Sequence, residues 1–350
     1  TASGLLDAVN DLLVGGFLIT PLVPLATARV SAIAPLAREL AQAMGYPPRS
    51  RGTAALSFAA LVGYGSFSSI FLTGLAMNFF VIELLPLADR ARFDWLTWFV
   101  SAGAAAAVLI AGMAVVLLGV FRAETASKAT PEVLRRQERV LGPLSPGEWV
   151  TIAAVAVLLG GLLLQPVFRV ETAWLAIGAI AVAMTGGALD REGFRSAIDW
   201  GFLVLFGVLL GTGGVLHSAD VDRWIADSLL PLTRAAGSQG VLVVLLGVVV
   251  IACRLVLPRQ PATLLLSLAL VPAAPRLGLE PWVVGFIVLL AANTWLHPTL
   301  HDWYRLTRDA TGGEMFTDRH GILMGIAVTV VMLLAIAASV PYWRAIGLLA

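Results

Sequence analysis

Leu18-Ile19-Thr20-Pro21-Leu22-Val23-Pro24-Leu25-Ala26-Thr27-Ala28-Arg29 is the stretch on which the fold turns. An apolar arm, residues 4–22, runs into two prolines, and a second arm, residues 28–44, begins almost at once on the far side. Proline removes a helix hydrogen bond and its ring clashes with the preceding turn, so the chain bends at 21–27. Gly45-Tyr46-Pro47-Pro48 closes the second arm. Residues 52–62 then form a short apolar helix, interrupted by Gly63-Tyr64-Gly65-Ser66-Phe67-Ser68-Ser69 and resumed over 70–85. A bilayer-crossing helix needs about 20 apolar residues. Several of these pieces are too short or too broken for that.

The pattern occurs twice. An arm over 239–257 stops at Pro258-Arg259-Gln260-Pro261, and the chain returns over 262–276. It then passes Gly278-Leu279-Glu280-Pro281 and forms a short helix, 282–292, that breaks at Asn293-Thr294. Backbone interrupted at membrane depth survives only where protein or a water-filled cavity satisfies its polar groups. Gly/Pro-interrupted segments at matching positions of two halves point to the binding site of a transporter.

The rest of the chain sets the solvent. Of 350 residues, 59% are hydrophobic and 13% charged, against about a quarter charged in a soluble domain. Mean hydropathy is +0.89. Further spans are expected at 95–121, 149–166, 172–189, 199–217 and 321–341, with a polar surface helix over 122–148 and an amphipathic interfacial piece over 220–236. Trp149, Trp174, Trp200, Trp282 and Trp343 fall near span ends, where interfacial belts lie. The organisation is a first hairpin and broken helix (1–86), a span with its linker (87–148), second-half scaffold helices (149–238), a second hairpin and broken helix (239–320) and a last helix (321–350). With the Gly45–Arg51 link inside, the inner joints carry more arginines than the outer ones, as the positive-inside rule requires. The same count opens the two hairpins to opposite sides, so the halves are inverted repeats. The first residue is Thr1 and no signal peptide precedes the first arm, so further helices are expected upstream.

Several functions are disfavoured. A net charge of +1 gives no field for nucleic acid. Cys253 is the lone cysteine, which excludes an intrachain disulfide and a cysteine metal site. His297, His301 and Asp302 superficially resemble metal ligands, but Pro298 disrupts the spacing and no further ligand is placed for it. No nucleophile triad, paired-carboxylate dyad or phosphate loop stands in context, so the chain does not read as an enzyme.

Leu18–Arg29, followed by Ile33-Ala34-Pro35 and Ala41-Gln42-Ala43-Met44-Gly45, resembles the first re-entrant hairpin of the divalent-anion/sodium symporter family, nearest its dicarboxylate and citrate exchanger branch. Gly65–Asn78 is similar to the broken helix that follows, Asp199–Gly207 to the start of the second repeat, and Ala262–Leu266 to the second hairpin. The resemblance implies an all-α polytopic membrane protein of inverted repeats with two re-entrant hairpins. It also implies secondary active transport of a small anion, a di- or tricarboxylate or similar, by alternating access in the cell inner or plasma membrane, and a homodimer. The coupling ion would be sodium or a proton, or the protein would exchange anions; no other cofactor is implied. Family tips carry Ser-Asn-Thr or Ser-Ser/Thr-Thr. Here the first reads Leu25-Ala26-Thr27, keeping the threonine, and the second Pro258-Arg259-Gln260, keeping none. An arsenite or sodium/proton antiporter branch, and a membrane sensor without transport, remain as alternatives.

The site residues follow from the breaks. Arg29 and Arg259 lie at the tips, where a guanidinium can hold an anion in a fork. The competing uses are to snorkel to the membrane surface or to hold helix C-terminal carbonyls. Arg254, about one turn before Arg259, is a weaker candidate for the same roles. Thr27, Gln260 and Thr263 are candidate substrate contacts at helix N-termini, which favour anions; each also fits a helix cap. Thr27, Ser66, Ser68, Ser69 and Thr73 are candidate ligands for a coupling cation, or glue between helices. Asn293 and Thr294 join the substrate set at the second break, beside Thr299 and a titratable His297.

Overall fold

The computed structural model describes residues 2–121, 143–168, 170–198, 200–297 and 300–350. The linker arginines and most of the expected surface helix, together with Arg169, Asp199, Pro298 and Thr299, lie outside them. Among the described residues the chain is helical, with no strand. It is an all-α polytopic membrane protein.

In the first half, α1 (Ala2–Ile19) and α2 (Ala26–Ala43) both pack on α3 (Arg51–Gly65). α3 ends in two 3₁₀ turns, Ser66–Ser69 and Leu72–Gly74, and α4 (Ala76–Leu84) resumes. The α1–α3 contact is backbone on backbone. A Cβ on Gly16 would lie 2.2 Å from the carbonyl carbon of Gly63, and one on Gly63 would lie 2.5 Å from the Leu12 carbonyl oxygen. Small residues allow such approach between membrane helices, where van der Waals packing carries association. A short α5 (Leu87–Arg92), α6 (Trp95–Ser101) and α7 (Gly103–Val120) follow. The span expected over 95–121 is thus two helices that meet at Ala102.

The scaffold of the second half is α8 (Pro146–Phe168), α9 (Thr172–Thr185), a short α10 (Arg191–Ala197), α11 (Trp200–Ser218) and α12 (Val221–Ala236). α13 (Gln239–Cys253) and α14 (Arg259–Ala273) follow, joined by a short turn at the expected second tip, and both pack on α15 (Pro281–Ala292) as α1 and α2 pack on α3. After a break, α16 (Asp302–Ala310) continues, and α17 (Asp318–Ala345) packs along α7. The exchange between halves is reciprocal: α4 packs on α14, and α16 packs on α2.

Three helices, α7, α8 and α17, are long and apolar enough to cross a membrane. Their outward faces are apolar too, as at Val115, Leu163, Val167, Ile326 and Leu334. Such surface is at home in hydrocarbon and costly in water. By contrast α3 is almost wholly buried and α15 wholly so, although both are too short to span. Trp149, Trp174 and Trp200 stand exposed near helix ends, as an interfacial belt requires. Trp282 and Trp343 do not. Both are fully buried, Trp282 stacked on Phe93 and Phe286 and edge-on to Trp98 and Trp343. The expectation of a belt is corrected at these two positions, because an aromatic core claims them.

Candidate functional site

The two hairpin tips meet. One cavity of about 240 Å³ is lined by Pro24, Leu25, Ala26 and Thr27 of the first tip and by Arg259 and Gln260 of the second. Leu75, Ala76 and Met77 at the start of α4, and Trp303 at the start of α16, complete the wall. Each half therefore contributes a tip and the resumed end of its broken helix. A more open hollow of about 890 Å³ beside Arg191, Glu192 and Arg195 shares no residue with either break.

Two helix N-termini reach this cavity without side-chain caps. The N-cap of α2 is Leu25, so Thr27 sits in the first turn and is not the cap. The N-cap of α14 is Pro258. Uncapped first-turn N–H groups and the helix dipole together favour a negative ligand. Thr27 is half-buried in the wall of the cavity. Thr263 is buried one turn deeper, and its hydroxyl donates to the Arg259 carbonyl at 2.9 Å.

Arg259 is 3% exposed and grips Asp302 in a fork, Nε to Oδ1 at 2.8 Å and Nη2 to Oδ2 at 2.7 Å. Its guanidinium carbon lies 4.2 Å from the centre of a Trp303 ring, a cation–π contact. Arg259 and Gln260 also line a second cavity, of about 250 Å³, with Asp302 and Arg305. The fork is therefore within reach of both spaces. Sequence reading passed over Asp302 as an anion-site residue. The available signal was the need of a buried arginine for a partner, answered by the first acidic residue beyond the second break.

Arg29 and Arg254 point elsewhere. Arg29 donates from Nε to the Tyr64 carbonyl at 2.9 Å, and from Nη1 to the carbonyls of Thr20 (3.4 Å), Gly74 (3.2 Å) and Val23. Its Nη2 donates to Ser68 Oγ at 2.6 Å. Arg254 donates to the carbonyls of Ala292 (2.9 Å), Thr294 (3.1 Å), Leu300 (3.4 Å) and Leu257. Of the uses left open for these arginines, both show the carbonyl one.

The hydroxyls at the first break are mostly engaged. Ser68 Oγ donates to the Gly65 carbonyl, and Ser69 Oγ accepts from Asn293 Nδ2 at 3.1 Å and donates to the Leu289 carbonyl at 3.4 Å. Thr73 Oγ1 donates to the Pro21 carbonyl at 3.0 Å and accepts from Trp95 Nε1 at 3.1 Å. Ser66 Oγ is buried without a partner. Carbonyls freed by the break are served by Asn78, whose Nδ2 reaches those of Ser68 (2.9 Å) and Phe71 (2.8 Å), and by Trp98 Nε1 on Ser69 (3.0 Å). Asn293 and Thr294 are buried and lie off the cavity: Asn293 joins the two breaks through Ser69, and Thr294 Oγ1 donates to the Ala291 carbonyl at 2.7 Å. His297 is exposed. Among the described residues no cluster of three His, Cys, Asp or Glu side chains is placed to hold a metal ion.

Buried broken helices, two facing hairpin tips and an apolar exterior define a polytopic membrane protein with an internal polar site. The chain belongs to the family described as the sodium:sulfate symporter transmembrane region, whose model matches residues 10–349. That is a family of membrane transporters. Among relatives, the chain is similar to a "Membrane protein" of Cupriavidus necator, 25% identical over 369 residues that cover 99% of this chain and 70% of the relative. It is also similar to an "Uncharacterized transporter" of Haemophilus influenzae, 21% identical over 225 residues, 63% of this chain and 47% of the relative.

Proposed function

We propose that this chain carries out secondary active transport of a small anion that binds between the two hairpin tips. One observation carries the reading: two uncapped helix N-termini, Thr27, Gln260 and the guanidinium of Arg259 converge on one cavity. A cavity of about 240 Å³ fits a dicarboxylate or an oxyanion, and its walls offer N–H donors without a free carboxylate. Asp302 holds the position on Arg259 that a carboxylate or sulfate of the cargo would take, so binding exchanges one anion for another on the same fork. Movement of the hairpins against the scaffold helices would then open the cavity to either side.

The test is uptake into vesicles bearing the reconstituted chain, with labelled succinate, citrate, sulfate and arsenite. Expected is saturable flux of one of the first three, lost in Arg259→Gln while membrane insertion is kept. Stabilisation by an anion without flux would instead make the chain a sensor, and flux unchanged in Arg259→Gln would remove that arginine from the site.

A further inference from the structure

We propose that Arg29 and Arg254 are tethered cations that occupy the two carbonyl cages of the broken helices, so that the anion is moved without sodium. The inference rests on the transport reading but concerns a different part of the molecule.

The two cages are built alike. Each collects carbonyls from a hairpin tip, from the last turn of the helix before a break, and from the segment after it. In the first half these are Thr20 and Val23, Tyr64, and Gly74. In the second they are Leu257, Ala292, and Thr294 with Leu300. Converging carbonyls at a helix C-terminus carry partial negative charge and attract a cation. A side-chain cation already stands in each. Arg29 and Arg254 are 3% and 4% exposed. A guanidinium has five N–H donors and no acceptor, so a ring of oxygens is the surrounding it requires. Among the described residues neither is in an ion pair with a carboxylate.

A sodium ion does not fit the same places. It would share carbonyls with a guanidinium and meet like charge in a medium that screens poorly. Of the four hydroxyls that could complete its shell at the first break, those of Ser68, Ser69 and Thr73 already donate to carbonyls and accept from Arg29, Asn293 and Trp95, which leaves only Ser66, buried without a partner. The two arginines come from opposite sides of their tips, Arg29 from the arm after the first and Arg254 from the arm before the second. The match is thus in the cage and its charge, reached from different positions in the chain.

The experiment has two readouts on the full chain. In the first, unfolding of the purified protein is followed in sodium chloride and in choline chloride at equal ionic strength, for the unsubstituted chain, Arg29→Ala and Arg254→Ala, with small additions of guanidinium. The unsubstituted chain is expected to melt at the same temperature in both salts. Each variant is expected to melt lower and to regain part of the loss with guanidinium, which restores the missing cation. A sodium-specific rise in the unsubstituted chain overturns the proposal, whether or not either variant folds; so does a folded variant that no added cation restores. In the second, initial anion uptake into vesicles is compared in the two salts. Equal rates are expected, and a saturable dependence on sodium overturns it. A chain with no flux for any anion sinks the transport reading alone, because the melting comparison still decides whether the cages take sodium.

Discussion

Removing the carboxylate of Asp302 tests the geometry of the anion site most directly. In Asp302→Asn the guanidinium of Arg259 keeps its place, 3% exposed, and loses its counter-charge. Breaking a buried ion pair by deleting one partner costs about 3–5 kcal/mol, because the other charge is stranded. The asparagine oxygen still accepts one hydrogen bond, which puts the expected loss near the lower end, about 3 kcal/mol. Arg259→Gln strands Asp302 instead, whose side chain keeps 29% of its surface open to water. That charge can be hydrated, so a loss of about 1–2 kcal/mol is expected. The contact of Arg259 with Trp303 contributes a further share of about 0.5–2 kcal/mol to the arginine variant, so stability alone separates the two by a narrow margin. Anion response separates them clearly. A small anion in the emptied fork at about 100 times its dissociation constant should return about 2.7 kcal/mol to Asp302→Asn. It should return little to Arg259→Gln. The assay is thermal unfolding of both variants in lipid nanodiscs, with and without succinate, citrate or sulfate. If no anion stabilises Asp302→Asn more than the unsubstituted chain, Arg259 is not the anion contact and the site must be redrawn around Thr27 and Gln260.

Other consequences follow from single contacts. Gly63→Leu should prevent correct assembly of α1 on α3, since its Cβ meets the Leu12 carbonyl oxygen at 2.5 Å; the folded fraction by size-exclusion chromatography should fall sharply, and normal recovery would show that the helices can part. The Ser69–Asn293 bond joins the two breaks, so a double-mutant cycle with Ser69→Ala and Asn293→Ala should give a coupling of about 1 kcal/mol, whereas additive losses would mean that the breaks are independent. Burial pushes the Glu280 carboxyl up, Asp89 adds to this and Arg92 opposes it. The folded state therefore holds that proton more tightly than the unfolded chain, and stability falls as pH rises from the ordinary carboxylate range through the raised value. Glu280→Gln should melt higher than the unsubstituted chain above that window and no higher below it.

The turns at 20–25 and 254–258, the short helices α3 and α15 and both breaks were legible because proline, glycine and asparagine mark them locally. α13, α15 and the stop at Asn293 lie where hydropathy puts them. The division into two helices at Ala102 was not legible, since alanine and its apolar neighbours are as compatible with one helix as with two. Trp282 and Trp343 were misplaced because sequence position puts them near span ends, while burial depends on Trp98, Phe93 and Phe286 arriving from elsewhere. The Arg259–Asp302 fork was missed for the same reason. Its partners are 43 residues apart, and neither carries a local sign of the other. For Arg29 and Arg254 the sequence left open whether the charge faces an anion or a set of carbonyls. Only the three-dimensional position of Tyr64, Gly74, Ala292 and Thr294 decides that.

The placement of charge bears on the valence of the cargo. Arg29 and Arg254 stand within about a helical turn of the tips, and Arg259 stands at one. These three guanidinium charges stand in the two cages and on the wall of the cavity between the tips, whereas Arg305 lines the second cavity; against the three, the ion pairs among the described residues set one carboxylate, that of Asp302. Two positive charges are left, together with the N-terminal dipoles of α2 and α14, around a cavity with apolar walls of Leu25, Leu75 and Met77. In such surroundings charge is poorly screened, and the site is most stable when its occupant returns it to neutrality. A monoanion leaves one charge uncompensated and a trianion adds one of the opposite sign, so a dianion is favoured over both. Were sodium also to bind, the balance would move toward more highly charged anions. The valence of the preferred anion and the independence from sodium are therefore linked: a chain that proves to select trivalent citrate over succinate and sulfate would count against both the charge balance and the tethered cations that set it.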